Sequence, residues 1–258
     1  MSTPVPTRQA PPRRTLISET FLVLGVGLGA SALWSVLNII NRLTIGPPLG
    51  HQTSSMNSSV TPDRPWLDLA YQLANIAVPV VPAFLALPLL RRDDPDARRR
   101  IGADLRRPWS DLGRGALLAA GVGIPGLGLY TAARAAGLNT TVAAANLTSH
   151  WWTVPVLVLA AAGNAVLEEV TMIGYLFTRW GQAGWSASRI MVTSALIRGA
   201  YHLYQGFGGF LGNAVMGLVF GWVYRRTRRV GPLVVAHTLL DVVAFVGYTL
   251  LKDRLGWL

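Results

Sequence analysis

Long apolar runs separated by short polar segments dominate the pattern along this chain. Seven of these runs approach the roughly 20 residues that cross a hydrocarbon core as a helix. They cover residues 16–40, 68–90, 115–136, 152–177, 188–207, 209–224 and 232–250. A hydrophobic content of 51 %, with only 14 % charged residues, agrees with a bilayer as the surrounding solvent. The pattern therefore predicts an all-α fold, a polytopic transmembrane helical bundle of about seven to eight membrane helices.

The polar segments divide this bundle into parts. Residues 1–15 are rich in proline and lack an apolar period, which predicts a disordered cytoplasmic arm. Residues 16–136 hold the N-terminal membrane helices together with a charge-dense inner loop at 91–114. Residues 152–250 form the remaining helical core. No internal repeat is apparent, which weakens an interpretation as an inverted-repeat transporter.

The formal net charge of +11 comes mainly from arginines in short loops. A protein that binds nucleic acid would gather such charges on one soluble face, so we exclude nucleic acid as a partner. Most of the 23 basic residues fall in alternate loops, at 1–15, 91–114, 178–189 and 225–231. By the positive-inside rule, this distribution predicts a multi-pass protein of a bacterial inner (plasma) membrane with a cytoplasmic N-terminus. The lack of cysteine excludes thiolate metal sites and cysteine nucleophiles.

Ionisable residues inside the predicted spans are concentrated in the second half of the chain. Each such residue at the centre of a span costs about 2.5–3.5 kcal/mol on insertion scales, which makes it a functional candidate. The candidates are Glu168, Glu169, Arg198, His202, His237 and Asp241. Counted at about 1.5 Å per residue from the nearest inner-face arginine, most of them lie at a similar depth of roughly 12–20 Å. A shared depth predicts a single polar site within the bilayer.

The spacing of these residues assigns them to helix faces. His237 and Asp241 are four residues apart and share one face, as do Arg198 and His202. Glu168 and its neighbour Glu169 diverge by roughly 100° around a helix. We therefore expect only one of the two glutamates to enter the site, while the other faces a neighbouring helix.

This set of side chains is suited to hydrolysis by an activated water. A desolvated glutamate paired with a histidine can take a proton from water and later donate it to a leaving amine. A second histidine with a carboxylate can stabilise the oxyanion that forms. The same donors, Glu168, His202, His237 and Asp241, also suit a zinc ion that acidifies water. The residues leave both mechanisms open, and the predicted cofactor is either none or a divalent metal such as zinc.

Three short segments resemble the motifs of a known family. The segments EEVTMIGYL, YHLYQ and HTLLD are similar to the three motifs of the CPBP family, the intramembrane proteases of the CAAX prenyl protease 2 and bacteriocin-processing type. The resemblance covers about residues 152–250. It implies an intramembrane endopeptidase in which Glu168 and His202 activate water. It further implies that His237 and Asp241 stabilise the oxyanion or bind a metal, and that Glu169 is a supporting acid.

Two positions depart from the family pattern. The arginine that follows the glutamate pair in the family corresponds here to Ile173, and the phenylalanine before the histidine corresponds to Arg198. Our hypothesis is that the positive charge has moved, so that Arg198 pairs with Glu169 from the next helix. If it has not, the alternative is a family member that has lost activity.

The leading functional hypothesis is thus an endopeptidase acting on peptides or membrane-protein segments that enter a cavity open to the cytoplasmic side. Two alternatives remain from other classes. One is a proton-coupled transporter in which the same acids and histidines relay protons. The other is a catalytically inactive membrane scaffold or immunity protein.

Overall fold

The computed structural model describes residues 11–252 and 254 of the chain. Ten α-helices form a bundle with a small sheet near one end. The α-helices are α1 (Arg13–Gly25), α2 (Leu28–Ile45), α3 (Pro65–Asp93), α4 (Ala97–Arg100), α5 (Pro108–Ala135), α6 (Thr153–Glu168), α7 (Leu176–Gln182), α8 (Ala187–Tyr201), α9 (Phe207–Thr227) and α10 (Gly231–Leu251). A π-helix, Glu169–Tyr175, joins α6 to α7, and 3-10 turns lie at Leu49–His51 and Leu203–Gln205. The sheet consists of β1 (Thr53–Ser55) and β2 (Thr141–Ala143), which are parallel.

The predicted all-α polytopic bundle is confirmed, and the described residues contain five to six candidate spans where about seven to eight were predicted. Five helical segments are long and apolar enough to span a bilayer, or six if the bent pair α1 and α2 is one broken span. This pair corresponds to the predicted run 16–40 and bends by 56° between its helices. The predicted run 188–207 is shorter than expected, because α8 has 15 residues and ends at Tyr201.

The boundary of the predicted N-terminal arm also needs correction. Residues 1–10 lie outside the part of the chain that the structure describes. Helix α1 already begins at Arg13, within the range 1–15 assigned to the arm. The basic pair Arg13 and Arg14 therefore belongs to a helix, and a disordered segment would have to end before it.

The segment Thr153–Gln182, which comprises α6, the π-helix and α7, lies at the centre of the bundle. Of its most apolar stretch, 67 % is buried inside the protein, compared with at most 28 % for the other four spans. Helices α3 and α10 pack against α6, α5 packs against α10, and α8 packs between α2 and α9. Because protein surrounds this segment on several sides, its polar residues are shielded from lipid.

The π-helix within this central segment begins at Glu169, immediately after Glu168. A π-helix is wider than an α-helix and is found most often as a short bulge at functional sites. Widening displaces carbonyl groups from their usual partners, and here Ser194 from α8 donates a hydrogen bond to the Met172 carbonyl at 2.9 Å. The bulge therefore coincides with the two acids and is supported by a side chain from the neighbouring helix.

The sheet and its flanking loops cover one end of the bundle. Beyond the two strands the parallel ladder continues, with a bridge between Ser58 and Asn146. The Thr140 N–H donates a hydrogen bond to the Gln205 carbonyl at 2.8 Å, and the Phe207 N–H donates to the Leu138 carbonyl at 2.9 Å. These backbone bonds fix the turn between α8 and α9, which contains His202.

Gly206 in this turn adopts a backbone conformation that other residues rarely adopt. Its φ is +116°, and an added Cβ would lie 2.6 Å from the Leu138 carbonyl oxygen. We expect Gly206→Ala to destabilise the protein by about 1–3 kcal/mol, because strain and a backbone clash occur together. Thermal unfolding in detergent measures this effect. Gly126→Ala on α5, where a Cβ would meet nothing within 4 Å, is the matched control. Equal melting temperatures for the two variants would contradict the prediction.

Candidate active site

Glu168 is the last residue of α6, and only one of its two carboxylate oxygens contacts a donor group. Its Oε2 accepts a hydrogen bond from the Tyr201 hydroxyl at 2.6 Å and lies 3.8 Å from Nη1 of Arg198. In the described part of the chain, no protein group donates a hydrogen bond to Oε1. The residue is 8 % exposed, so it is buried yet not sealed. Glu168 therefore presents one fixed and one unengaged carboxylate oxygen.

Glu169 forms the ion pair that the sequence hypothesis required. Nη2 of Arg198 lies 2.6 Å from Glu169 Oε1, and both side chains are fully buried. The guanidinium also lies over the Phe220 ring, with its Cζ 5.5 Å from the ring centroid. The predicted contact between Arg198 and Glu169 is thus present, and a positive charge reaches the glutamate pair from α8 even though Ile173 lacks one.

His237 connects the glutamates to α10. Its Nδ1 lies 2.8 Å from Glu169 Oε1, while its Nε2 is 3.7 Å from Asp241 Oδ1. Asn164 on α6 donates a hydrogen bond to Asp241 Oδ2 at 3.3 Å. The predicted shared face of His237 and Asp241 is therefore observed, and an imidazole is positioned between two carboxylates.

His202 lies at the end of α8 and not inside a longer span. Its Nδ1 is 3.0 Å from the Arg198 carbonyl oxygen, one helical turn earlier. Since a carbonyl only accepts hydrogen bonds, Nδ1 carries the proton and Nε2 keeps its lone pair in the neutral ring. The ring centroid lies 4.8 Å from that of Tyr201 and 6.4 Å from that of Tyr204. His202 is thus adjacent to the residue that holds Glu168.

The two glutamates converge more closely than their sequence spacing predicted. Donor atoms of Glu168, Glu169 and His237 all lie within 4.8 Å of one another. Glu169 contacts the neighbouring helix α8 through Arg198, as predicted for one of the two glutamates. Its carboxylate nevertheless stays close to that of Glu168, because both long side chains reach Arg198.

The close group of potential metal ligands differs from the predicted one. It consists of Glu168, Glu169 and His237, and it includes neither His202 nor Asp241. A guanidinium already lies 2.6 Å from Glu169 Oε1, and His237 shares that same oxygen. A dication there would be repelled by Arg198 at short range. The contact of Arg198 with Glu169 therefore favours the mechanism without a metal.

Tyr201 is a site residue that the sequence reasoning missed. Its side chain is buried, and it makes the shortest contact to Glu168. Tyrosine carries no charge and is common in membrane helices, so no electrostatic anomaly marks this position. The available signal was spacing, since Tyr201 follows Arg198 by three residues and shares its helix face.

The sequence hypothesis places access at the arginine-rich end of the bundle, where the structure has a cavity separate from the candidate residues. A cavity of about 310 Å³ at that end is lined by residues such as Asp94, Arg100 and Arg228, and by none of the six candidates. The turns of the central segment between this cavity and Glu168 include Met172 and Leu176, which are fully buried. Buried apolar residues of the central segment therefore lie between this cavity and Glu168.

Comparison with known families agrees with the motifs. Residues 150–243 match the family model described as type II CAAX prenyl endopeptidase Rce1-like. This segment is Rce1-like. The match confirms the resemblance that the three motifs indicated, and it supports an intramembrane protease of the CAAX type in general terms. No curated protein and no solved structure matches the chain.

The Rce1-like segment contains all six candidate residues. It spans α6, the π-helix and α7 to α9, together with the first half of α10. Helices α1 to α5 lie outside the match, although α3 packs directly against α6 and α2 against α8. The polar centre is therefore built by the Rce1-like segment and enclosed partly by helices from elsewhere in the chain.

Proposed function

We propose that this chain is an intramembrane endopeptidase that hydrolyses peptide bonds with a water activated by Glu168 and His202. One observation carries the proposal. Glu168 has one oxygen fixed by Tyr201 and the other unengaged, in a buried polar centre that also holds His237 and lies beside His202. A general base must be held in position and still have a free lone pair facing the water it deprotonates.

The proposed reaction assigns each proton to an atom of the chain. Oε1 of Glu168 takes one proton from water as the water oxygen attacks the scissile carbonyl carbon. The resulting tetrahedral intermediate collapses by breaking its C–N bond, and the proton passes to the departing amine. Nε2 of His202, which keeps its lone pair in the neutral ring, is suited to accept and return a proton during this transfer.

His237 is the proposed donor to the oxyanion. Hydrogen-bond donors fixed in a site of low dielectric stabilise developing charge without reorganising during the reaction. Asp241 lies 3.7 Å from His237 Nε2, and Asn164 fixes Asp241 in turn. This chain of contacts supports a role for Asp241 and Asn164 in orienting the imidazole, while Glu169 anchors its other nitrogen.

Arg198 supports an active enzyme over one that has lost activity through Ile173. Two buried carboxylates in contact would repel each other and lose hydration, and a buried charge generally requires a partner. Arg198 lies 2.6 Å from Glu169 and 3.8 Å from Glu168, so it compensates both. The proposal thus includes a charge supplied from α8 in place of one on the central helix.

The proposed substrates are peptides or segments of membrane proteins. The proposed location is the bacterial plasma membrane, with the N-terminus on the cytoplasmic side, because the basic residues alternate between loops as the positive-inside rule requires. The direct experiment is incubation of the purified protein in lipid nanodiscs with apolar peptides. Mass spectrometry then detects the two products, one with a new carboxyl group and one with a new amine.

Metal removal tests the choice between the two mechanisms. We expect cleavage to persist at an unchanged rate after treatment with EDTA or 1,10-phenanthroline, since Arg198 supplies positive charge where a metal would bind. The cleavage rate is measured before and after chelation, with a zinc endopeptidase as the positive control. The ratio of the two rates distinguishes metal-dependent from metal-independent hydrolysis. Loss of activity that returns on addition of zinc would contradict the metal-independent proposal.

A further inference from the structure

Strand β1 has one edge without a partner strand in the described part of the chain. The two-stranded sheet pairs Thr53 with Thr141 and Ser55 with Ala143. In this parallel ladder the N–H and C=O groups of Ser54 point toward β2, so those of Thr53 and Ser55 point the other way. The Thr53 carbonyl accepts weak bonds from Arg42 at 3.4 Å. Free backbone groups of Ser55 and the Thr53 N–H therefore remain on the edge.

The corresponding edge of β2 is occupied. The Thr140 N–H donates to the Gln205 carbonyl at 2.8 Å, and the Val142 N–H donates to the Tyr130 hydroxyl at 3.0 Å. Only β1 therefore offers a strand edge among the residues described. The Ser55 side chain on this edge is exposed, whereas Ser54 between the two edge residues is buried.

Strand β1 is joined to the turn that follows α8 and to an apolar cluster that includes residues of α6. Ser54 donates a side-chain hydrogen bond to the Tyr204 carbonyl at 2.8 Å, which joins the strand to the end of α8. Met56, at the end of the strand, packs against an apolar cluster that includes Leu157 and Ala161 of α6. The strand thus bridges the two helices that carry Glu168 and His202.

The free edge of β1 lies between the C-terminal end of α2 and the N-terminal part of α3. Helix α2 packs on α8 and α3 packs on α6, but α2 and α3 make no comparable contact with each other in the part of the chain described. The start of α2 and the second half of α3 approach each other, where Leu28 and Val80 share an apolar cluster. Near the other ends of the two helices, Arg42 of α2 contacts Thr53, and Gln72 of α3 donates to the Ser58 carbonyl at 3.1 Å.

At the other end of α3, α1 is held by contacts of Glu19. Glu19 on α1 accepts a hydrogen bond from Tyr175 at 2.8 Å and forms ion pairs with Arg92 at 2.7 Å and Arg179 at 2.9 Å. Arg179 is fully buried and also pairs with Asp93. These contacts tie α1 to α3 and to the central segment.

We propose that the free edge of β1 binds the substrate, an extended peptide that enters from the bilayer between α2 and α3. This inference rests on the proposed function. A peptide bond within a helix is surrounded by its own turns, and it must unwind before a water can attack it. Unwinding in a membrane exposes backbone groups whose burial without partners costs several kcal/mol each. Pairing with Thr53 and Ser55 satisfies them, as in other cases of strand addition.

Ser55→Pro tests this pairing, because proline lacks the N–H that would donate to the peptide. We expect cleavage by Ser55→Pro to fall about tenfold or more in kcat/KM, in line with the loss of a buried hydrogen bond and its partner. Ser55→Ala keeps the N–H and is compared in parallel, and we expect its kcat/KM to be well above that of Ser55→Pro, because only the proline variant loses the N–H. A folded Ser55→Pro variant with wild-type cleavage would overturn the proposal.

Cross-linking gives a second test that does not require cleavage. The chain has no native cysteine, so Ser55→Cys introduces a single thiol, and Thr131→Cys places one at an exposed position on α5. Both are made with Glu168→Gln and mixed in nanodiscs with a leucine–alanine peptide of about 24 residues that carries one central cysteine. We expect a disulfide cross-link to Ser55→Cys alone; equal cross-linking at both positions, or none, overturns the docking site. Cross-linking at Ser55 without any wild-type cleavage would instead refute the proposed function.

Discussion

Glu168→Gln is expected to reduce peptide cleavage by about 10²–10⁴-fold, the usual contribution of a general base. Glutamine keeps the shape of the side chain and an oxygen that can accept the hydrogen bond from Tyr201. It cannot take up a proton from water, so the attack on the carbonyl loses its base. Initial rates of product formation in nanodiscs, measured by mass spectrometry, provide the comparison with the wild-type protein.

The result is interpretable only if the variant folds as the wild type does. Glu168 is 8 % exposed, and the substitution removes one of two adjacent negative charges beside Arg198, so we expect little loss of thermal stability. A melting temperature close to that of the wild type, together with lost cleavage, supports a chemical role for the carboxylate. Wild-type cleavage by a folded Glu168→Gln protein would refute the assignment.

Arg198→Ala is expected to have the largest effect on stability. Removing one partner of a buried ion pair leaves an uncompensated charge and typically costs about 3–5 kcal/mol. Here the arginine contacts Glu169 at 2.6 Å and lies near Glu168, so both acids lose their compensation. Unfolding of the purified protein by SDS titration measures the change in free energy. Arg189→Ala, which removes an exposed arginine from the same helix, should change it far less.

A second substitution separates charge compensation from packing. If the cost arises from the buried charge, Glu169→Gln in the Arg198→Ala background should recover part of the lost stability. The double-mutant cycle then gives a coupling energy between the two positions, which contacting residues of this kind show at about 0.5–3 kcal/mol. Additive effects, with no coupling, would show that Arg198 acts through its contacts with Phe220 and other neighbours and not through Glu169.

The spacing of apolar and ionisable residues was sufficient to predict much of the site. His237 and Asp241 share a face because they are four residues apart on a regular helix. The pairing of Arg198 with Glu169 was also predictable, because a buried arginine and a buried acid on neighbouring spans each need a partner. The roles of these residues in hydrolysis remain predictions until the cleavage experiments are done.

Other features depended on local irregularities that periodicity does not encode. The predicted seven to eight spans assumed regular helices, whereas α1 and α2 are separated by a bend and α8 ends at Tyr201. The sequence pattern also did not predict that a π-helix begins at Glu169. In each case a few backbone hydrogen bonds, which depend on neighbouring segments, changed the geometry.

The sequence by itself determined that the chain forms a membrane helical bundle and that its ionisable residues converge, because a bilayer strongly penalises exposed polar groups. Tertiary structure alone decided that Tyr201 holds Glu168 and that Arg198 contacts both acids. It also decided that β1, far from the motifs in sequence, is hydrogen-bonded to the turn that contains His202. These contacts join segments distant along the chain, and their geometry follows from how the helices pack and not from any local pattern.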